Sequence, residues 1–244
     1  MNVIKTLKGF SGSQVLLCQG DDGKAFVRKI GNVSRNYDRL TKLKDYPIPK
    51  ILDYDGNVLD MEYIPGIDMK TYLTRTGSPE DLAGFLKHIL TRFSQNSRET
   101  NYVSTYHKKL KDVDFSALPF AKQELIEKLP KSLPQSEYFG DLTLDNIIYS
   151  RGKFYLIDGM ESDYTSYVFD IAKLNQDLKC GWFTRNTDLD LRVKLKYISK
   201  CLHQFTYSDN PYLIILMLIR VYPYTLPESL ERKFIESRIH MLWK

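Results

Sequence analysis

The 244-residue sequence predicts an α+β fold in two parts, a small antiparallel sheet with one helix followed by a larger, mainly helical part. Three observations predict it. Strand-like runs before residue 62 are joined in pairs across short turns. The texture changes at Pro65-Gly66. Beyond that point, apolar residues recur at helical spacing. The boundary falls between residues 1–64 and residues 65–244, and a chain of this length can bury a full core.

The elements follow in order. Val15-Leu16-Leu17-Cys18 and Ala25–Ile30 read as strands joined across Asp21-Asp22-Gly23, a hairpin signal. Arg35 to Lys44 places Leu40 and Leu43 among charges, as a short amphipathic helix does. Ile51-Leu52-Asp53-Tyr54 and Val58-Leu59-Asp60-Met61 flank Asp55-Gly56-Asn57, a second hairpin. Ser78-Pro79-Glu80-Asp81 starts a helix, with a capping hydroxyl, proline at the first helical position and an acid three residues after the cap. Leu82, Phe85, Leu86, Ile89, Leu90 and Phe93 form its buried stripe. Phe120 to Leu129 repeats the pattern briefly. Gly152-Lys153 turns between the strands Ile147–Tyr149 and Phe154–Ile157, leaving Asp158 where the hairpin exits. From Asp170 to Trp243 the chain is largely helical, with breaks at Pro211, Pro223 and Pro227.

Composition excludes several classes. With 43% hydrophobic and 27% charged residues, the chain reads as an ordinary globular protein. Met1 to Lys8 has no secretory pattern. The longest apolar run, Tyr212 to Ile219, is too short to span a membrane and reads as a core helix. Cys18, Cys180 and Cys201 are odd in number and unclustered, which suits reduced thiols and a cytoplasmic protein. The net charge of +5 is spread out, Lys108, Lys109 and Lys111 read as a solvated face, and no nucleic-acid motif is present. His88, His107, His203 and His240 show no metal-ligand spacing. Oligomeric state leaves no mark in the sequence.

The informative segment is Phe139-Gly140-Asp141-Leu142-Thr143-Leu144-Asp145-Asn146, followed by the strand that ends Leu156-Ile157-Asp158-Gly159. It sets an acid, an amide five residues on, and a second acid at a strand end. Taken singly, Asp141 and Asn146 are no more than polar turn residues. Jointly, the pattern suits phosphoryl transfer from a magnesium nucleotide: one carboxylate receives the attacking hydroxyl, while an amide and a second carboxylate hold the metal.

This pattern resembles the protein-kinase-like phosphotransferases, in the branch that contains aminoglycoside phosphotransferases and choline kinase. The resemblance implies a two-lobed protein-kinase-like fold, with five strands and one helix in the small lobe. It makes Asp141 the catalytic base, and Asn146 and Asp158 the Mg2+ ligands. Asp170-Ile171-Ala172 matches a segment whose acid supports the catalytic loop, a structural role. Met61-Glu62-Tyr63-Ile64-Pro65-Gly66 resembles the kinase linker, with Met61 lining the adenine pocket and the Glu62 carbonyl and Ile64 amide pairing the adenine edge. Asp68 falls near the ribose hydroxyls. In Gly9-Phe10-Ser11-Gly12-Ser13-Gln14-Val15, which lacks the full glycine spacing, the amides of Ser11, Gly12 and Ser13 would cradle phosphate. Lys29 would reach the α and β phosphates. Arg28 is the alternative, and Val27 on the face shared with Lys29 favours the latter. Asp38 is the candidate acid partner of that lysine on the helix. Phe139 departs from the family's usual His, and Gly159-Met160 from its Phe-Gly.

The expected function is an ATP-dependent (or other NTP-dependent), Mg2+-dependent kinase acting on a small-molecule hydroxyl of a sugar or amino alcohol. One alternative is a pseudokinase that binds nucleotide or a partner without turnover. Another is a protein kinase, disfavoured because only eleven residues separate Asp158 from Asp170 and no Ala-Pro-Glu follows. Ile171 to Lys244 holds twelve Lys or Arg against seven acids, which disfavours a polycationic acceptor unless Glu161 and Asp163 dominate locally. Tyr164, Tyr167, Trp182 and Phe183 could box a choline-like cation, or could be packing residues.

Overall fold

Turn chemistry and strand alternation build the first sheet. In the computed structural model, which describes residues 2–7, 12–75 and 77–244, five strands precede the helical region. They are β1 (Asn2–Leu7), β2 (Gln14–Gln19), β3 (Ala25–Ile30), β4 (Ile51–Tyr54) and β5 (Val58–Glu62), with helix α1 (Ser34–Lys42) between β3 and β4. All neighbours are antiparallel, in the order β1-β2-β3-β5-β4. Gly23 at φ 77° and Gly56 at φ 97° make the two turns read from the sequence. Val33, Leu40, Leu59 and Met61 form the core between α1 and the sheet.

Strand β6 (Ile67–Asp68) and helix α2 (Met69–Arg75) follow the Pro-Gly turn. Helix α3 (Pro79–Ser94) starts as expected, with the Ser78 hydroxyl accepting from the Asp81 amide and proline in the first turn. Next come β7 (Arg98–Asn101), α4 (Val103–Lys109), α5 (Lys122–Lys128), β8 (Ser132–Gln135), β9 (Ile147–Ser150) and β10 (Lys153–Leu156). The β9–β10 hairpin turns on Arg151 and Gly152, both at positive φ. Strand β6 adds to its edge, giving the order β10-β9-β6, while β7 pairs with β8. Gly66 is needed here, because a Cβ at that position would lie 2.5 Å from both Ile148 and the Tyr149 carbonyl.

The remainder is α6 (Tyr167–Leu178), α7 (Arg192–Cys201), α8 (Pro211–Val221) and α9 (Leu230–Leu242). Every residue of α6 is buried. In α8, Leu213 to Ile219 is a continuous buried run, so the apolar segment is a core helix that starts at Pro211. No helix among the described residues is long and apolar enough to cross a membrane.

Contacts divide the chain into two compact units. The sheet unit comprises Met1–Thr76, Phe139–Asp141 and Asp145–Ser162, and the helical unit comprises Gly77–Tyr138, Leu142–Leu144 and Asp163–Lys244. Asp141, Asn146 and Asp158 therefore belong to the same unit as Lys29, although more than a hundred residues intervene.

Candidate active site

Register decides which basic residue of β3 enters the site. Lys29 lies opposite Leu59 and Val27 opposite Met61, so these four share the face that carries the core. Arg28 faces the other way and is held by Asp60 through two bonds of 2.7 and 2.6 Å. Lys29 is 3% exposed, and its Nζ lies 2.5 Å from Asp158 Oδ1. A buried ammonium needs such a partner, since desolvation without one is costly.

Asp158 follows β10 with φ 65°, in the left-handed region that is uncommon for non-glycine residues and that aspartate tolerates better than most. The Ile157 amide donates to the Asn146 carbonyl at 2.9 Å, which locks the second acid beside the amide. From α1, Asn36 Nδ2 donates to Asp158 Oδ1 and to the Gly159 carbonyl, both at 2.9 Å. Burial pushes the Asp158 carboxyl above the usual carboxylate range. Lys29 and Asn36 pull the other way, and the Asp141 carboxylate adds to the upward push. The side chain keeps 38% exposure, so water tempers the effect of burial.

Asp141 and Asn146 are in direct contact. Asn146 Nδ2 donates to the Asp141 carbonyl at 2.8 Å and to its Oδ2 at 3.1 Å. That leaves Asn146 Oδ1 and Asp158 Oδ2 with no hydrogen-bond donor among the described residues. Two hard oxygens, one of them anionic, on segments joined by the Ile157–Asn146 bond suit a Mg2+ ion, so the donor set fits the metal. No group of three His, Cys, Asp or Glu with metal-binding geometry occurs among the described residues.

Phe139 fills the core behind this pair. It is fully buried, and a Cβ on Gly159 would come 2.8 Å from its ring. The Met160 amide donates to the Phe139 carbonyl at 3.1 Å. An aromatic ring thus fills the space behind Asp158, and Gly159 makes room for it. In the helical unit, the Leu144 amide donates to Asp177 Oδ2 at 2.8 Å. Asp177 is fully buried on α6 and was not singled out from the sequence. Asp170 is buried in the first turn of the same helix.

The other expected residues lie as follows. Met61 is 9% exposed in the β5 core, and Ile64 is buried at 8%. The Glu62 amide donates to the Lys50 carbonyl at 2.8 Å, on the β4 side of β5. Asp68 is exposed in β6 opposite Ile148, and its carboxylate accepts from the Thr71 amide at 2.7 Å, capping α2. Gly12 is exposed at φ 75°, and a Cβ there would meet nothing within 4 Å. Ser13 is half-buried, and its side chain lies beside Gly31. Ser11 lies outside the described residues.

One expectation needs correction. Asp38 is exposed on α1, and the helix turns Asn36 inward instead, so Lys29 pairs with Asp158 and not with Asp38. Of the two readings of the aromatic residues, packing is the one that their burial supports. Tyr164, Tyr167 and Phe183 are buried at 2%, 6% and 1% exposure. The Arg185 guanidinium lies 3.6 Å from the Trp182 ring centroid, and that of Arg220 lies 5.3 Å from the Tyr164 centroid. The acids that might have attracted a polycation are also engaged. Glu161 pairs with Lys42 at 2.5 Å and Arg39 at 3.7 Å, and Asp163 with Lys109 at 2.6 Å and Lys108 at 3.2 Å.

A five-stranded antiparallel sheet with one helix, a lysine on its third strand, and an acid–amide–acid set flanking a hairpin match the protein-kinase-like fold. No protein-family model and no curated protein matches the chain. Solved structures do. A choline kinase from Streptococcus pneumoniae is 16% identical over 99% of this chain and 94% of that one, with a TM-score of 0.61. An amicoumacin kinase in complex with AMP-PNP, Ca2+ and Ami is 15% identical over 98% and 91%, also at 0.61. An ethanolamine kinase from Plasmodium vivax is 12% identical over 98% and 81%, at 0.59. At these identities the likeness establishes a shared fold.

Proposed function

We propose that the chain is a Mg2+- and ATP-dependent kinase that transfers the γ-phosphate to a hydroxyl of a small molecule, a sugar or an amino alcohol. One observation carries this reading: in one compact unit Lys29 contacts Asp158, the preceding Ile157 is bonded to Asn146, and Asn146 contacts Asp141. Asp141 orients the acceptor hydroxyl and takes its proton as the oxygen bonds to phosphorus and the bond to the departing ADP breaks. Asn146 Oδ1 and Asp158 would hold Mg2+, which supplies charge neutralisation to the phosphates when bound. Lys29 is placed to leave Asp158 for a phosphate oxygen. Met61, Glu62 and Ile64 would contact the adenine, Asp68 the ribose, and Ser11, Gly12 and Ser13 the phosphates. The neighbour that holds AMP-PNP and Ca2+ supports nucleotide and divalent-metal use.

Within this class the acceptor we favour is a sugar. The rings suited to a quaternary amine already lie against arginines, and Glu161 and Asp163 are paired, so a cationic acceptor gains little attraction there. A second reading, a nucleotide-binding protein without turnover, draws on Phe139 in the catalytic loop and Asn36 in place of a helix acid. A phosphate-transfer screen over sugars, amino alcohols and aminoglycosides separates the two. The kinase reading expects transfer to a sugar that depends on Asp141. Tight Mg2+–ATP binding with no transfer to any acceptor would establish the second.

A further inference from the structure

Helix α1 presents an amide to the site where an acid was expected. Asn36 is 3% exposed, and its one Nδ2 group spans Asp158 Oδ1 and the Gly159 carbonyl at 2.9 Å each. We infer that Asn36 is the positioning residue that fixes the Asp158 carboxylate for metal binding and frees Lys29 to serve the phosphates. This inference rests on the kinase reading of the site.

Asp158 stands at φ 65°, in a left-handed region that few non-glycine residues occupy and that support from neighbouring groups helps to hold. Asn36 supplies that support at two points, one on the side chain and one on the next carbonyl. Its own position is secured by a latch between α1 and the segment after Asp158. Arg35 Nε donates to the Glu161 carbonyl at 2.8 Å, and the Glu161 amide returns a bond to the Arg35 carbonyl at 2.9 Å. Lys42 and Arg39 add ion pairs to the Glu161 carboxylate at 2.5 and 3.7 Å. The helix and the metal-binding segment are therefore held as one body.

Chemistry explains why an amide suits this place. A carboxylate on α1 would repel Asp158 and would compete with it for Lys29. An amide holds Asp158 by donation alone and leaves its negative charge for a cation. When Lys29 moves to a phosphate, Asp158 keeps one fixed partner and does not swing away. Groups that orient a ligand from behind in this way typically affect metal affinity about 10–100-fold.

The test measures ATP binding by calorimetry across a Mg2+ series, with melting temperature recorded alongside. Asn36→Ala should raise the Mg2+ concentration for half-maximal ATP binding by about 10–100-fold. Asn36→Asp, of the same shape, should shift it at least as far, while Asn36→Gln, which keeps the donor, should recover part of the loss. ATP affinity at saturating Mg2+ should stay close to wild type in all three. Should Asn36→Ala fail to fold, the isosteric Asn36→Asp decides by the same shift. A lowered melting temperature with the Mg2+ midpoint unmoved would mean a purely structural role and overturn the inference alone. Wild-type ATP binding indifferent to Mg2+ would overturn the kinase reading as well.

Discussion

The two units place their buried charges differently. In the sheet unit, charged and amide groups converge: almost fully buried Lys29 and Asn36 both meet Asp158, the Ile157 amide is bonded to Asn146, and Asn146 meets Asp141. In the helical unit, α8 carries seven consecutive buried apolar residues, and Asp163 and Asp209 pair with lysines at exposed or half-exposed positions. Its Trp182 and Tyr164 rings lie against arginines, and Tyr167 and Phe183 are packed into the core. A buried charge is costly, and several in one place signal chemistry more than stability. The residues proposed for phosphate transfer all lie in the sheet unit, whereas the helical unit keeps its buried charges, Asp170, Lys173 and Asp177, on one helix, α6.

The sharpest way to break this contrast is Asp141→Asn. It should lower turnover by about 10²–10⁴-fold with nucleotide affinity kept, read from steady-state kinetics and a binding titration. Unchanged turnover would remove Asp141 from its role. In the helical unit, Leu216→Ala on α8 should cost about 2–5 kcal/mol of stability by urea unfolding, with turnover of the folded protein unaltered. A matching loss of turnover would show that α8 also serves the chemistry.

Gly159→Ala should have a smaller effect. The added methyl meets the Phe139 ring at 2.8 Å, so about 1–3 kcal/mol is expected. Trimming the ring with Phe139→Leu should recover part of that cost, giving a coupling in a double-mutant cycle. Simple additivity would mean the ring does not set the Gly159 position.

The smallest effect concerns Cys180, whose thiol is pushed up to about 12 by burial. The folded protein keeps this proton where the unfolded chain loses it, so its contribution to stability falls as pH rises from about 9 toward 12. At pH 8, alkylation followed by mass spectrometry should leave Cys180 unmodified while the half-buried Cys201 reacts first. Equal labelling would show that the helical core opens readily.

Much of the sheet unit could be read from local chemistry. Asp-Asp-Gly and Asp-Gly-Asn mark the turns, and strand alternation with Val27 puts Lys29 rather than Arg28 on the inner face. The Ser78-Pro79 start of α3 is a capping pattern that the structure reproduces. Asn36 escaped for a physical reason. Asp38 was favoured as an acid, yet two residues along a helix rotate by about 200°, so Asp38 and Asn36 point to opposite sides. The spacing Val33, Asn36, Leu40, Leu43 follows the buried stripe and would have revealed it. Strands β6, β7 and β8 escaped because they are two to four residues long and find partners far along the chain. Asp177 lies in a helix buried on every side, where periodicity gives no direction. The fate of Trp182 and Tyr164 depended on which arginine reached each ring, which composition does not specify.

The central claim is that Asp141, Asn146 and Asp158 gather round a divalent ion that carries a nucleotide. Paramagnetic broadening of backbone amide signals by Mn2+–ADP tests it most directly. Broadening centred on Asn146 and Asp158, and lost in Asp158→Ala, is the predicted result. Broadening centred elsewhere, or unchanged in that variant, would contradict the assignment.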